Sequence, residues 1–402
     1  MKRIVLITLA MASLMAYAQY QLPNPGFEQW DGGITSEPTH WNSFATSDGG
    51  YASLASSPHH YRRNGGRPGT QGSHYVTIYT KSIMGIKANG NMTTGRIHAG
   101  SMSAASSENY NYTQRSNTDH CQPFTGTPDS MYVWVSFYAA SASSQAQVTA
   151  ILHGENDFRA PNQENDPNLY CGKAEARFTR TTTSDNAMQW QQMKVPFVYD
   201  GNADPAYLLV NFTTNAVPGS GDGNDSLSVD DIMFVYSSWL TGISVAGVPI
   251  EGFSKGTMDY AVRVEDTAMF STVEVTATKE VADATIDIQR RRVDDTTALA
   301  VITVTAEDGV SVHTYSVTLS TSQAPEPIGI SPVESSCLSV YPNPTVGQVV
   351  VEAEGEVSLL DLGGRLLMHR TVYGSAILDL APLPAGVYLL RHGGTTHRVV
   401  KR

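Results

Sequence analysis

The chain has 402 residues and a formal net charge of −12, from 26 Lys plus Arg against 38 Asp plus Glu. That sign excludes binding to phosphate backbones by counterion release, so no nucleic-acid partner is expected. Charged residues are only 16% of the chain and Gly counts 34; with no heptads and no helical stripe of useful length, a coiled coil or helical bundle is excluded and an all-β fold of two or three domains is expected.

In chain order, residues 1–18 read as a secretory signal peptide. Met1-Lys2-Arg3 is basic, Ile4 to Met15 is apolar, and Ala16-Tyr17-Ala18 is a small-x-small cleavage signal before Gln19. The apolar run is too short for a stable membrane anchor and no later run is long enough, so no transmembrane segment is expected.

Residues 19–238 form the first predicted domain. It opens with Asn24-Pro-Gly-Phe-Glu28, Trp30 and Thr39-His-Trp41. β runs follow at His74–Tyr79, Tyr132–Tyr138, Gln147–Ile151, Met193–Tyr199 and Tyr207–Phe212, and the domain closes on Leu227–Tyr236. The opening motif, the Trp a dozen residues on and the terminal Val-Asp-Asp-Ile strand resemble galactose-binding-like jelly rolls. Within that fold they resemble a carbohydrate-metabolism domain of Bacteroidetes, which also shows a strand like Pro128–Trp134 and a Gly/Asp-rich loop like Gly219–Asp225. The resemblance implies a glycan ligand of unknown class. It also brings the first and last strands together at one edge, where Glu28 and Asp231 would clamp a structural calcium ion; capped strand ends facing water are the alternative.

Other candidates in this domain carry two readings each. Trp30, Trp41, Trp134 and Trp190 serve either as sugar platforms or as core, and Trp41 and Trp134 look like core. The long polar stretch Ile83 to Asn117, with Tyr110 and Tyr112, and the segment Tyr51 to Arg67 are where ligand contacts are expected. His59-His60 reads as a solvated basic loop. His153, Glu155 and Asp157 follow a strand and suit either acid–base chemistry or a charged hairpin tip. No nucleophile elbow, zinc helix, phosphate loop or dinucleotide fingerprint is present, and no catalytic residue is assigned. Of three cysteines, Cys121 and Cys171 fall in this domain and are expected to bridge in an oxidising compartment, leaving Cys337 single.

Residues 239–320 alternate apolar and polar in about seven short runs, from Ile243 to Leu319, with turns every ten residues or so. They resemble bacterial Ig-like and cadherin-like spacers. Residues 321–337, with Pro325, Pro327 and Pro332, read as a linker.

Residues 338–402 carry Tyr341-Pro-Asn-Pro344, Asp361 to Arg365 and Gly386-Val-Tyr388 in order. The prolines mark entry to a new domain and the short alternating runs predict a small β-sandwich. The segment resembles the type IX secretion C-terminal sorting domain, subtype A. That implies passage through the periplasm, engagement of the type IX secretion machinery, removal of the tail, and either attachment to surface lipopolysaccharide or release. The reading is therefore an all-β exported surface protein: an N-terminal jelly roll that binds carbohydrate, a central Ig-like sandwich and a sorting domain. A glycoside hydrolase is the rival reading, and a structural surface protein or adhesin with a protein partner is the third.

Overall fold

The computed structural model describes residues 20–402 except 56–58, 71, 183–187, 322–337, 362–364 and 393–394. The signal peptide, the linker with Cys337, and Gly363-Gly364 lie outside the described residues. Nearly all regular structure is strand. The chain divides into two compact units, up to Val235 and from Tyr236. No helix among the described residues is long and apolar enough to cross a membrane.

The first unit contains β1 (His60–Asn64), β2 (His74–Tyr79), β3 (Lys81–Ile83), β4 (Ile86–Ala88), β5 (Asn91–Thr93), β6 (Arg96–Ala99) and β7 (Asn109–Tyr112). It continues with β8 (Ser130–Tyr138), β9 (Ala146–His153), β10 (Arg159–Ala160), β11 (Tyr170–Phe178), β12 (Gln191–Val198), β13 (Tyr207–Thr213) and β14 (Ser226–Val235). Among the described residues nine of these make one sheet in the order β1-β2-β14-β8-β12-β11-β9-β13-β5. Only Lys173↔Val198 and Ala174↔Phe197 pair β11 with β12, so the sheet folds there into two antiparallel leaves packed as a sandwich. The interior is apolar because each leaf turns one side-chain face inward: Met92, Val148, Ala150, Leu152, Val210 and Phe212 come from one leaf, and Val76, Ile78, Val133, Val135, Leu227 and Val229 from the other. β14 is buried along its whole length. Trp41 and Trp134 are also buried.

Period-2 runs found the long strands to within a residue or two, but β1, β3–β7 and β11 were not expected. β11 reads Lys-Ala-Glu-Ala-Arg, whose charged residues alternate onto one face, as the next subsection describes. His59 and His60, expected in solvent, are buried. His60 pairs with Ile78, its Nε2 lies 2.8 Å from the Ser36 carbonyl, and its ring stacks on Trp30. Burial pushes His60 down and His59 to about 4.

The second unit begins with β15 (Leu240–Val245), β16 (Val248–Pro249), β17 (Asp259–Arg263), β18 (Val275–Lys279), β19 (Thr285–Arg292), β20 (Thr297–Thr305) and β21 (Val312–Ser320). They form a sheet ordered β16-β15-β18 and another ordered β17-β21-β20-β19. Strict alternation buries every second residue of β20 and of β21, including Ala300, Ile302, Val304, Tyr315 and Val317. The C-terminal strands are β22 (Ser339–Tyr341), β23 (Gln348–Leu360), β24 (Leu366–Asp379), β25 (Gly386–His392) and β26 (Thr395–Lys401). They bury a core that includes Val349, Val351, Leu359, Leu390 and Val399.

Candidate functional site

The corner predicted to hold calcium is an ionic clasp made by the loop between β1 and β2. Ile232 N–H donates to the Pro25 carbonyl at 3.0 Å, which lays the opening motif against β14. Gly26 fits closely there: a Cβ would lie 3.1 Å from Asp231 Oδ1. The register of β14 shifts after Asp230 and Asp231 sits at φ 44, a bulge that turns its carboxylate toward the loop. Asp231 Oδ2 accepts from Arg67 Nη2 at 2.6 Å and from Thr70 Oγ1 at 3.0 Å. Glu28 Oε2 accepts from Ser73 N at 3.0 Å and Ser73 Oγ at 2.9 Å, and Oε1 from His74 N at 3.1 Å. Arg67, 3% exposed in its side chain, also stacks over Trp134 at 4.1 Å. Burial, with Asp231 adjacent, pushes Asp230 up to about 9. Glu28 and Asp231 thus reach the same loop, yet their oxygens already accept N–H and O–H donors and a guanidinium takes the cation's place. With those oxygens engaged, the pair does not offer the six to eight oxygen ligands that calcium takes, and no group of three or more His, Cys, Asp or Glu able to hold a metal occurs among the described residues.

Cys121 and Cys171 are not joined. Tyr170 pairs with His153, His153 with Tyr207, and Tyr207 with Pro123. The two cysteines flank opposite ends of that row, about three strand spacings or roughly 14 Å apart, beyond the ~7 Å that a bridge spans between Cα atoms. His153 is a core residue and no acid–base group: it is buried, stacks on Phe158 and Tyr207 and meets Thr113 Oγ1 at 2.7 Å. Burial holds it near 4.

The open concave region lies elsewhere, on the outer face of the β5-β13-β9-β11 leaf. Strand registers align three rows across that face: Leu209, Ile151, Lys173 and Val198; Thr93, Asn211, Thr149 and Glu175; Asn91, Thr213, Gln147 and Arg177. This face floors a groove of about 440 Å³. The β3–β4 hairpin lines one part of it; the small sheet β10-β7-β6 and the segment carrying Tyr51 and Leu54 line others. These are the two stretches the sequence marked for contacts.

The floor is pre-ordered. Asn91 and Asn111 exchange amide bonds at 3.0 and 3.2 Å. Asn111 Nδ2 donates to Asn211 Oδ1 at 2.8 Å, Thr93 Oγ1 donates to the same oxygen at 2.7 Å, and Asn211 Nδ2 donates to Thr149 Oγ1 at 3.2 Å. Each amide has two donors and two acceptor lone pairs, so donors and acceptors remain on the chain Asn91–Asn111–Asn211.

Charges in the groove are matched. Lys173 Nζ lies 3.0 Å from Glu164 and 2.8 Å from Glu175, and Arg177 Nε 3.1 Å from Glu175. Burial alone would raise Glu175, but the Lys173 ammonium outweighs it and holds the carboxyl below its usual value. Beside the groove, Asp48 accepts from Tyr112 Oη at 2.7 Å and meets His98 Nδ1 at 2.7 Å and Arg96 at 3.4 Å. These partners overcome burial and lower Asp48, while burial and the bond to Asp48 push Tyr112 up to about 12. Burial raises the carboxyls of Glu37 and Asp230, and neither lines the groove.

In the C-terminal strands the marker residues fasten chain ends. Asn343 Nδ2 donates to the Arg398 carbonyl at 2.6 Å and its Oδ1 accepts from Val400 N at 2.8 Å. Asp361 accepts from Arg365 N at 2.9 Å and Nε at 3.0 Å across the β23–β24 turn. Tyr388 Oη donates to the Pro384 carbonyl at 2.6 Å.

Residues 339–402 match the family of secretion system C-terminal sorting domains. This part of the chain directs export by the type IX secretion system, to the cell surface or the medium, and engages that machinery. No curated protein matches the chain. Among solved structures, dimeric latent PorU from Porphyromonas gingivalis aligns at 13% identity with a TM-score of 0.14, a likeness too slight to carry an argument; it covers 82% of this chain, which spans 31% of that one.

Proposed function

We propose that the exported protein binds carbohydrate in the groove on the β5-β13-β9-β11 leaf and does not cleave it. The supporting observation is the amide chain Asn91–Asn111–Asn211, which ties β7 to the β5-β13 edge of the leaf and lines the groove. Sugar hydroxyls donate and accept at once, and primary amides answer both needs. Tyr51, 37% exposed at the mouth, offers an aromatic face to pyranose C–H groups, and an apolar pocket with a few convergent polar groups is the usual form of a small-ligand site.

The hydrolase reading has one observation in its favour: Glu164 and Glu175 stand within reach of a single ammonium in the groove. Glycoside hydrolysis needs one carboxyl to stay protonated until it meets the leaving oxygen. Glu175 is held ionised instead, and Lys173 sits between the pair. On this reading residues 239–320 act as a spacer, and the mature protein is joined to surface lipopolysaccharide or released.

The test is a glycan array probed with the purified protein, run beside an assay for released sugar. Retention of a glycan without release supports the proposal. Release of sugar establishes the hydrolase, and silence in both assays leaves a structural or protein-binding role.

A further inference from the structure

The β3–β4 hairpin closes on Met84–Gly85 between the paired Ile83 and Ile86. Its two turn residues have φ of 51 and 83, the positive pair of a type I′ turn. Asn, Asp or Gly normally hold the first position, because a larger side chain at positive φ crowds its own backbone. Met84 gains nothing from burial to offset this: it is 75% exposed, and a Cβ on Gly85 would meet no atom within 4 Å, so the tip projects into open space. The position is strained and apolar with no return to the fold, a combination that accumulates where function demands it. Met84 lines the groove, and Tyr51, Leu54 and Met102, all exposed, line the same groove. An exposed apolar cluster around a polar floor marks an interaction site, and methionine adapts to irregular apolar partners.

We infer that the groove takes an amphiphilic ligand: a glycan carrying an alkyl or acyl substituent, with the sugar on the amide floor beside Tyr51 and the apolar part held by Met84, Leu54 and Met102. The sugar half rests on the carbohydrate reading above; the apolar half is added by the hairpin. Because Lys173 and Arg177 are already matched by carboxylates, the floor favours a neutral sugar.

The full chain is titrated with methyl and octyl β-glycosides of glucose, galactose, mannose and N-acetylglucosamine, below micelle formation, with octanol as the apolar control. The octyl form of a recognised sugar is expected to bind at least about tenfold tighter than the methyl form, since transfer of each methylene from water is favourable, and octanol is expected to bind far more weakly. Met84→Asn places a residue the turn prefers, so its unfolding temperature is expected to match or exceed wild type. It is expected to abolish the octyl advantage, read as the ratio of octyl to methyl affinity measured on the variant itself. Equal binding of the two forms, an octyl advantage that survives Met84→Asn, or octanol binding as well as the octyl glycoside overturns the inference while leaving the carbohydrate reading intact. Failure of every glycoside, together with a silent glycan array, removes both.

Discussion

Two clusters of charge in the first unit contain similar residues and do different work. In the clasp, Arg67 faces Asp230 and Asp231 with its side chain 3% exposed. In the groove, Lys173 faces Glu164 and Glu175 with its side chain 30% exposed. Burial makes the first pair a structural necessity, because removing either partner strands a charge in a medium that cannot solvate it. Water at the second makes the pair cheap to keep and open to a ligand. Acidic residues near both chain ends of a sandwich are therefore a poor guide to chemistry until their burial is known.

That contrast sets the largest expected effect. Arg67→Met is expected to destabilise the first unit by about 3–5 kcal/mol by leaving the buried Asp231 carboxylate without its cation, whereas Lys173→Met costs about 1 kcal/mol or less. Denaturant unfolding of the two variants checks this, and equal costs would erase the distinction. The next effect is pH-dependent. Asp230 is raised to about 9 from an ordinary 3.8, so between roughly pH 4 and 9 the folded state holds a proton that the unfolded state lacks, and this contribution to stability falls as pH rises through that window. Asp230→Asn is expected to flatten that fall relative to wild type. His59 and His153, lowered to about 4, act oppositely: their contribution is lost as pH drops from 6.5 toward 4. Third, Tyr51→Ala is expected to weaken glycan binding by about tenfold, roughly 1.4 kcal/mol, with unfolding unchanged within about 0.5 kcal/mol. Least, neither calcium nor a chelator is expected to move the thermal midpoint, since the clasp supplies its own cation. A rise of several degrees with calcium would return Glu28 and Asp231 to the metal reading. Likewise a non-reduced digest is expected to show no Cys121–Cys171 peptide.

Legibility in the sequence followed side-chain periodicity. β13 stands out as a continuous apolar run from Tyr207 to Val210, and β20 and β21 stand out by clean alternation. β11 was obscured because its outward face carries Lys173, Glu175 and Arg177, and its inward face only Ala174, Ala176 and Phe178, which lowers the apolar signal of a true strand. β3 to β7 are three or four residues each, too short for a period to show. The sorting domain was readable from short motifs because Asp361 and Tyr388 make local bonds that fix a turn and a strand end, while Asn343 ties its motif to the last strand. The groove has no such motif: Asn91, Asn111 and Asn211 are 20 and 100 residues apart and meet only through strand register. The Asn24–Glu28 opening lies against β14, but Arg67 comes from a loop whose partner cannot be inferred from spacing.

The central claim, that ligand binds at the groove and not at the clasp, is tested most directly by hydrogen exchange on the full chain with and without the glycan selected by the array, in wild type and Tyr51→Ala. The account predicts added protection in β3–β4, β7 and the segment around Tyr51, none in the Arg67 loop, and loss of that protection in the variant at the same glycan concentration. Protection centred on the Arg67 loop, or protection at the groove that Tyr51→Ala leaves unchanged, would contradict it.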